Sequence, residues 1–519
     1  MSIDVTDKFV TAEQAAQRIP DGATVAITGS GGGLLEADAL LAAIERRFLA
    51  EGHPRQLTLM HAQGLGDGAE RGLNRLAHEG LVKRVIGAHW SWSPRMQQLA
   101  ADNKIEAYAM PGGAVQHLIR ESGAGRPGLI TPIGLDTMAD PRRGGCAMNA
   151  RATEALNEIV QFDGQEFIRY KPVKVDVAIL RGSLADAGGN VSFVEEGAEL
   201  DALVLATAAH NCGGIVLVQV RARVERGTLP ARQVRLPGVL VDAVVAVAAQ
   251  AQSHASVFDP ALAGTLPRNA MPAAEAPPAP PGAAWERQII GARAARFLRP
   301  DAIVSFGFGI PDEVATIAAR DPRLHCHQTV DHGHHGGQSL QGELFGYVRR
   351  GEALIDSPSQ FDFYSGRGID IAFLGFGEFD AEGNVNVSRL GGKIIGPGGF
   401  IDIAQGSRTV VFCGTFEAKG LRVQADAGAL RIASPGQVAK LVRQVEQVTF
   451  SGRRALATGQ QVYYVTERAL FQLTPGGVAL LEVAPGIDLQ REVLDRMRFA
   501  PVLPPGGPGR MAAPPYFQG

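Results

Sequence analysis

The stretch DVAILRGSLADAGGNV at residues 176–191 returns as DIAFLGFGEFDAEGNV at residues 370–385, 194 positions later and without a gap. Eight of the sixteen aligned positions are identical, and both copies close on Asp-Ala-x-Gly-Asn-Val. The register continues into a second apolar run, Val216-Leu217-Val218 against Val410-Val411-Phe412. A match of this length at a fixed offset marks two versions of one unit. Two copies are too few for a solenoid, whose stacked repeats are shorter. The expectation is a pair of related α/β domains with a ligand site between them, since sites favour domain boundaries.

Each copy is preceded by the same kind of opening. Val25 to Thr28 reads as a strand, followed by the turn Gly29-Ser30-Gly31-Gly32-Gly33 and a helix with Leu40, Leu41, Ile44 and Phe48 on one face. In the second half a helix over 286–298 leads to the strand Ala302-Ile303-Val304 and the turn Gly307-Phe308-Gly309-Ile310-Pro311. Runs such as 175–180 and 215–220 are continuous and β-branched, which suits parallel strands buried on both faces. Residues 271–282, MPAAEAPPAPPG, are Pro/Ala-rich and read as a linker. The boundaries are therefore 1–265, a linker at 266–285, 286–500, and a poorly packed Pro/Gly-rich tail at 501–519.

At 519 residues the chain exceeds a single core. Its net charge of −3 offers no bulk attraction to nucleic acid or to an anionic membrane. The four cysteines, Cys146, Cys212, Cys326 and Cys413, form no C-x-x-C pair and read as reduced thiols. With no signal-like N-terminus and no apolar window long enough to span a bilayer, the expectation is a cytoplasmic protein without membrane contact.

Three glycine-rich turns could bring backbone N–H groups close to an anion. They are the turn around Gly31, the turn holding Gly307 and Gly309, and the run Gly391-Gly392-Lys393 with Gly396-Pro397-Gly398-Gly399. In the last, Lys393 adds a charge suited to phosphate. None is a dinucleotide fingerprint. The segment HCHQTVDHGHHGG at 325–337 holds five histidines in eleven residues. As a strand over 325–331 it would put His325, His327, Thr329 and Asp331 on one face, with Asp331 at the strand end, where α/β sites carry reactive groups. The histidines invite a metal, but no H-E-x-x-H accompanies them, and no metal is expected.

These segments together resemble family I coenzyme A transferases of the fused two-domain propionate/acetate type. The resemblance is carried by HLIRESGAGRPGLITPIGLDTMADPR (117–142), FIRYKPVKVDVAILRGSLAD (167–186), FGFGIPDEVA (306–315), FDFYSGRGIDIAFLG (361–375), GPGGFIDI (396–403) and YVTERALFQLTP (464–475). It implies two pseudo-repeated open α/β domains with the active site at their interface, acyl-CoA and a small carboxylic acid as substrates, and a homo-oligomer. In that family a glutamate attacks the thioester, and a glutamyl-CoA thioester carries CoA onward. Here Thr329-Val330-Asp331-His332-Gly333 stands at the matching place, so the nucleophile is Asp331, one methylene shorter. His332 and His334 are its expected helpers. Gln116 would hold the substrate carboxylate, and the N–H groups of Gly398 and Gly399 would meet the thioester oxyanion. Gly31, Gly307, Gly309, Lys393 and Gly396 would face CoA. Shortening the carboxylate withdraws it by about 1.5 Å, one carbon–carbon bond, and leaves room approaching the ~30 Å³ share of one water molecule. Two alternatives to transfer stay open. One is thioester hydrolysis with Asp331 as general base, and the other is a CoA-binding homologue without turnover.

Overall fold

The structure, a computed structural model, describes residues 7–271, 285–340, 342–426 and 428–511. Most of the expected linker, residues 272–284, and the end of the tail, 512–519, lie outside the described residues. The chain forms two compact units. The first takes in Met1–Pro272, Val330–Asp362 and Gly392–Asp402, and the second takes in Ala273–Thr329, Phe363–Gly391 and Ile403–Gly519. A single cut at the linker does not generate these units, because two later segments complete the first one.

The first unit is built on a parallel sheet. Its strands are β1 (Thr24–Ile27), β2 (Leu57–His61), β3 (Val82–Gly87), β4 (Glu106–Ala109), β5 (Val177–Arg181), β6 (Ile215–Val220) and β7 (Ala243–Ala246). They run in the order β7-β6-β5-β1-β2-β3-β4, every pairing parallel. The strand order reverses between β1 and β5, which makes their carboxyl ends the natural ligand crevice. Every residue of β5 is buried, as its unbroken VAILR run requires for a strand covered on both faces. Helix α1 (Asp38–Glu51) buries Leu40, Leu41 and Ile44, the face expected from their spacing. Helices α2 (Pro94–Ala101), α3 (Gly112–Gly123) and α4 (Ala202–Asn211) belong to the same unit.

The second unit carries β8 (Ile303–Phe306), β9 (His327–Thr329), β10 (Ile369–Gly375), β11 (Ser407–Cys413), β12 (Gln461–Val465), β13 (Ala469–Thr474), β14 (Gly477–Val483) and β15 (Gly509–Arg510). These follow the order β9-β8-β10-β11-β12-β13-β14-β15. The strands from β9 to β12 are parallel, and β12, β13 and β14 form an antiparallel meander. Helices α5 (Trp285–Ala294) and α6 (Pro311–Arg320) precede and follow β8 in sequence. In the described part of the tail, residues 501–510 are exposed or half-buried, Gly509–Arg510 pairs with Glu482–Val483, and Met511 is buried in this unit's core.

Both repeat copies fold alike. Asp186 accepts the Asn190 backbone N–H at 3.1 Å, and Asp380 accepts that of Asn384 at 3.0 Å. In each, the Asn side-chain amide also donates to the same carboxylate. A left-handed glycine completes each turn, Gly189 at φ 83° and Gly383 at φ 76°. The shared motif is thus an Asx-type turn that closes a short antiparallel hairpin, Leu184–Ala185 with Val191–Ser192 and Glu378–Phe379 with Val385–Asn386.

Candidate active site

Asp331 sits two residues beyond β9, in a turn closed by the Gly333 N–H on the Val330 carbonyl at 2.9 Å. The strand is shorter than expected, so His325 lies outside it. Gly333 adopts φ 103°, and a Cβ there would run into the Ile355 carbonyl, so the turn needs glycine. The turn is fixed from behind. Ser357 Oγ donates to the Asp331 carbonyl at 2.7 Å, and Gln116 Nε2 donates to that same Oγ at 3.1 Å. The Asp331 side chain keeps 15% exposure.

His332 is buried, with Nε2 2.9 Å from Ser30 Oγ and Nδ1 3.3 Å from Asp331 Oδ1. Nδ1 has no formed hydrogen bond, so it is a close neighbour of the carboxylate and not its clamp. Ser30 opens the glycine turn at the end of β1, which brings Asp331 to the strand-order switch. That turn is itself fastened. Glu36, fully buried, accepts the Gly66 N–H at 2.5 Å and meets His254 Nε2 at 3.1 Å. Arg181, at the end of β5, donates to the carbonyls of Gly33 and Glu36 and pairs with buried Glu196 at 3.1 Å.

Other expected residues fall differently. His334 is buried, and its Nε2 lacks a partner. Its backbone carbonyl accepts from Val330, and burial pushes its pKa down to about 4. It gives Asp331 no side-chain hydrogen bond, because the chain reverses at Gly333 between them. Gln116 is fully buried, and its amide supports the Asp331 backbone through Ser357; that hydroxyl already donates to Asp331, so it must accept from Gln116. Gly398 spends its N–H on the Ala88 carbonyl at 2.8 Å, which removes it as an oxyanion donor, while Gly399 beside it is buried. Gly396 is buried at φ 79° against Ala88 and Trp90. Lys393 is exposed. Gly31 is buried against the Trp92 ring. In the second unit, Gly307 donates to Phe373 and Gly309 to Asp312 Oδ2 at 2.9 Å, so both N–H groups are satisfied internally and neither is free for an anion. Among the described residues no group of three or more His, Cys, Asp or Glu side chains could hold a metal ion, and no helix is long and apolar enough to cross a membrane.

Two groups near Asp331 escaped the sequence reading. His89 lies beside Gly398, and burial pushes its pKa down to about 4 although the charge of Asp331 pulls it upward. Asp402 is fully buried and accepts the Gly113 N–H at 3.2 Å. Burial raises its pKa to about 7, and the charge of Asp331 adds to the rise. Asp402 stands inside GPGGFIDI, so its place in a recognisable motif was the available signal. For His89 there was none.

The model of the coenzyme A transferase family matches residues 9–247. Over nearly the whole length the chain is 40% identical to an acetate CoA-transferase of Escherichia coli, covering 96% of this chain and 93% of that protein. The chain belongs to the coenzyme A transferase family. It is also 42% identical to a caffeate CoA-transferase of Acetobacterium woodii, across 96% of this chain and 95% of that one. A solved acyl-CoA transferase from Escherichia coli, described as a thioester complex with CoA, superposes with a TM-score of 0.90 at 38% identity, over 98% of this chain and 96% of its own. Family membership accounts for the paired α/β units and makes this an enzyme whose co-substrate is CoA.

Proposed function

We propose that the chain moves CoA from an acyl-CoA to a small carboxylic acid through a covalent CoA thioester on Asp331. Asp331 Oδ attacks the acyl carbonyl and expels CoA thiolate, leaving a mixed anhydride. The thiolate then attacks the aspartyl carbonyl, and the acyl group departs as its carboxylate. An incoming carboxylate reverses the sequence and leaves as the new acyl-CoA. The cycle is neutral in protons, so it needs no general acid with a pKa near 7.

The observation that carries this reading is a part-exposed carboxylate on a backbone braced by Ser357 and Gln116, at the strand-order switch. Bracing matters because a nucleophile one methylene short tolerates little misplacement. His332, tied to Ser30, limits rotation of the turn. The N–H of Gly399 takes the oxyanion role on this reading, and exposed Lys393 meets a CoA phosphate. The names of the two relatives, acetate and caffeate CoA-transferase, support a carboxylate acceptor and leave its size open.

The test is direct. Protein incubated with acyl-CoA and then reduced with borohydride should carry its modification on the peptide containing Asp331. Asp331→Ala should lose CoA exchange between acyl-CoA and acetate by about 10³-fold or more. CoA release at equal rates with and without an acceptor acid would favour hydrolysis and reject the transferase reading. Binding of CoA with neither reaction would leave the non-catalytic alternative.

A further inference from the structure

The second unit holds a cavity that the transfer chemistry above does not use. Val465 on β12, Leu470 on β13 and Glu482 on β14 stand side by side in one row across the three strands. Tyr463, two residues before Val465 on the same strand, shares its face. Opposite this row α5 carries Arg293, and the turn Ala295–Phe297 that continues the helix carries Arg296 and Phe297. Between them lies a cavity of about 220 Å³, lined by these residues and by Met511. Most of its wall is apolar, as in small-molecule sites generally. The Phe297 and Tyr463 rings stand 4.5 Å apart, centre to centre, and Val465, Leu470 and Met511 are buried.

The charges around this cavity do not balance. Arg296 is paired with Glu482 at 3.1 Å. Arg293 keeps only 5% of its surface exposed, and among the described residues no carboxylate pairs with it. Glu467 offers it only a backbone carbonyl, on Nη1, because the Glu467 carboxylate is taken by Arg468 at 2.7 Å and by the Phe416 N–H at 2.9 Å. Nε and Nη2 have no hydrogen-bond partner among the described residues. These two nitrogens form one edge of the guanidinium, the kind of edge that takes a carboxylate through two parallel bonds. Burial pushes the Arg293 pKa down to about 10, so the group stays charged at neutral pH. A buried cation without a counter-charge is an unfavourable arrangement that an anion relieves. We propose that the cavity is a second binding site, for a monocarboxylate with an apolar or aromatic body. The carboxylate meets the unused edge of Arg293, and the body lies against Phe297, Tyr463 and Leu470. A cavity of ~150 Å³ holds benzene, so this one has room for roughly nine non-hydrogen atoms, the size of benzoate. The inference does not rest on the Asp331 reading, since Asp331 belongs to the first unit.

Calorimetric titration of the full-length enzyme with benzoate tests the site. Wild type should bind it, and Arg293→Gln should bind it about tenfold more weakly or worse. Leu470→Trp, which fills the cavity and leaves the guanidinium in place, should lose the same binding event. Benzamide, equal in size but uncharged, should bind wild type more weakly than benzoate. Both variants should exchange CoA between acyl-CoA and acetate as wild type does, which separates this site from the reaction at Asp331. The proposal is overturned by no binding to wild type, by equal binding to wild type and the two variants, or by equal binding of benzoate and benzamide. Loss of CoA exchange in a folded variant also overturns it. Should neither variant fold, para-bromobenzoate bound in wild-type crystals decides by the place of its bromine: beside Tyr463 the proposal stands, and elsewhere it falls.

Discussion

In the first unit Asp176 Oδ2 accepts the Thr24 N–H at 3.0 Å, and in the second Asp370 Oδ2 accepts the Ile303 N–H at 3.0 Å. The strand after each of these aspartates leads into a short hairpin closed by the same Asx turn. Among the eight repeat positions where the two copies differ, one bears on the glycine turns. Arg181 in the first unit holds the Gly33 carbonyl at the end of the glycine turn and the Glu36 carbonyl just after it, whereas the corresponding Gly375 has no side chain to offer the turn at 307–311. The first turn is accordingly buried and tied to Glu36, His254 and His332, while Phe308 in the second is 60% exposed. One repeated scaffold therefore supports both units, and an added guanidinium accompanies the turn whose Ser30 meets His332, the neighbour of Asp331.

Breaking that added tie should have the largest structural effect. Arg181→Ala strands Glu196 as a buried charge and should cost about 3–5 kcal/mol. Gly375→Ala, whose new Cβ would lie 3.8 Å from the Phe308 carbonyl, should cost under about 1 kcal/mol. Denaturant unfolding of the two variants checks this, and equal losses would mean that Arg181 does not distinguish the turns.

A smaller contrast sharpens the same point. Gly33 has φ 90°, and an added Cβ would lie 2.8 Å from the His254 backbone nitrogen; Gly309 has φ 97° with nothing within 4 Å. Gly33→Ala should therefore add a packing clash of about 1–3 kcal/mol to the left-handed strain of about 1–2 kcal/mol that Gly309→Ala incurs alone. Thermal unfolding separates the two. The smallest expected difference lies in the Asx turns themselves. Asp186→Asn and Asp380→Asn should each lose about 1 kcal/mol and differ by no more than about 0.5 kcal/mol. A larger gap would show that the repeat is alike in outline only.

Much of this frame was legible in the sequence because it is local. The repeat marked by DAxGNV, the buried β5 and β6, and the apolar face of α1 all follow from patterns within a dozen residues. Asp331 could be singled out because it follows a strand within a matching motif. What could not be read is long-range. Nothing near His332 announces Ser30, 302 positions away, and nothing near Gly398 tells that its N–H goes to Ala88. The turn at Gly309 looked ready for an anion, but Asp312, three residues on, fills that role itself. Buried charge is equally silent in composition, since Asp402 differs from a surface aspartate only in what surrounds it.

The first unit is not complete at the linker, because it needs residues 330–362 and 392–402. During synthesis, Gln116 must wait some 240 residues for Ser357, and Gly113 still longer for Asp402. A gene split within 272–284 would therefore yield an amino-terminal fragment with its sheet but without the segments that seal α3. Such a fragment should expose that helix to aggregation or to chaperones until its complement arrives.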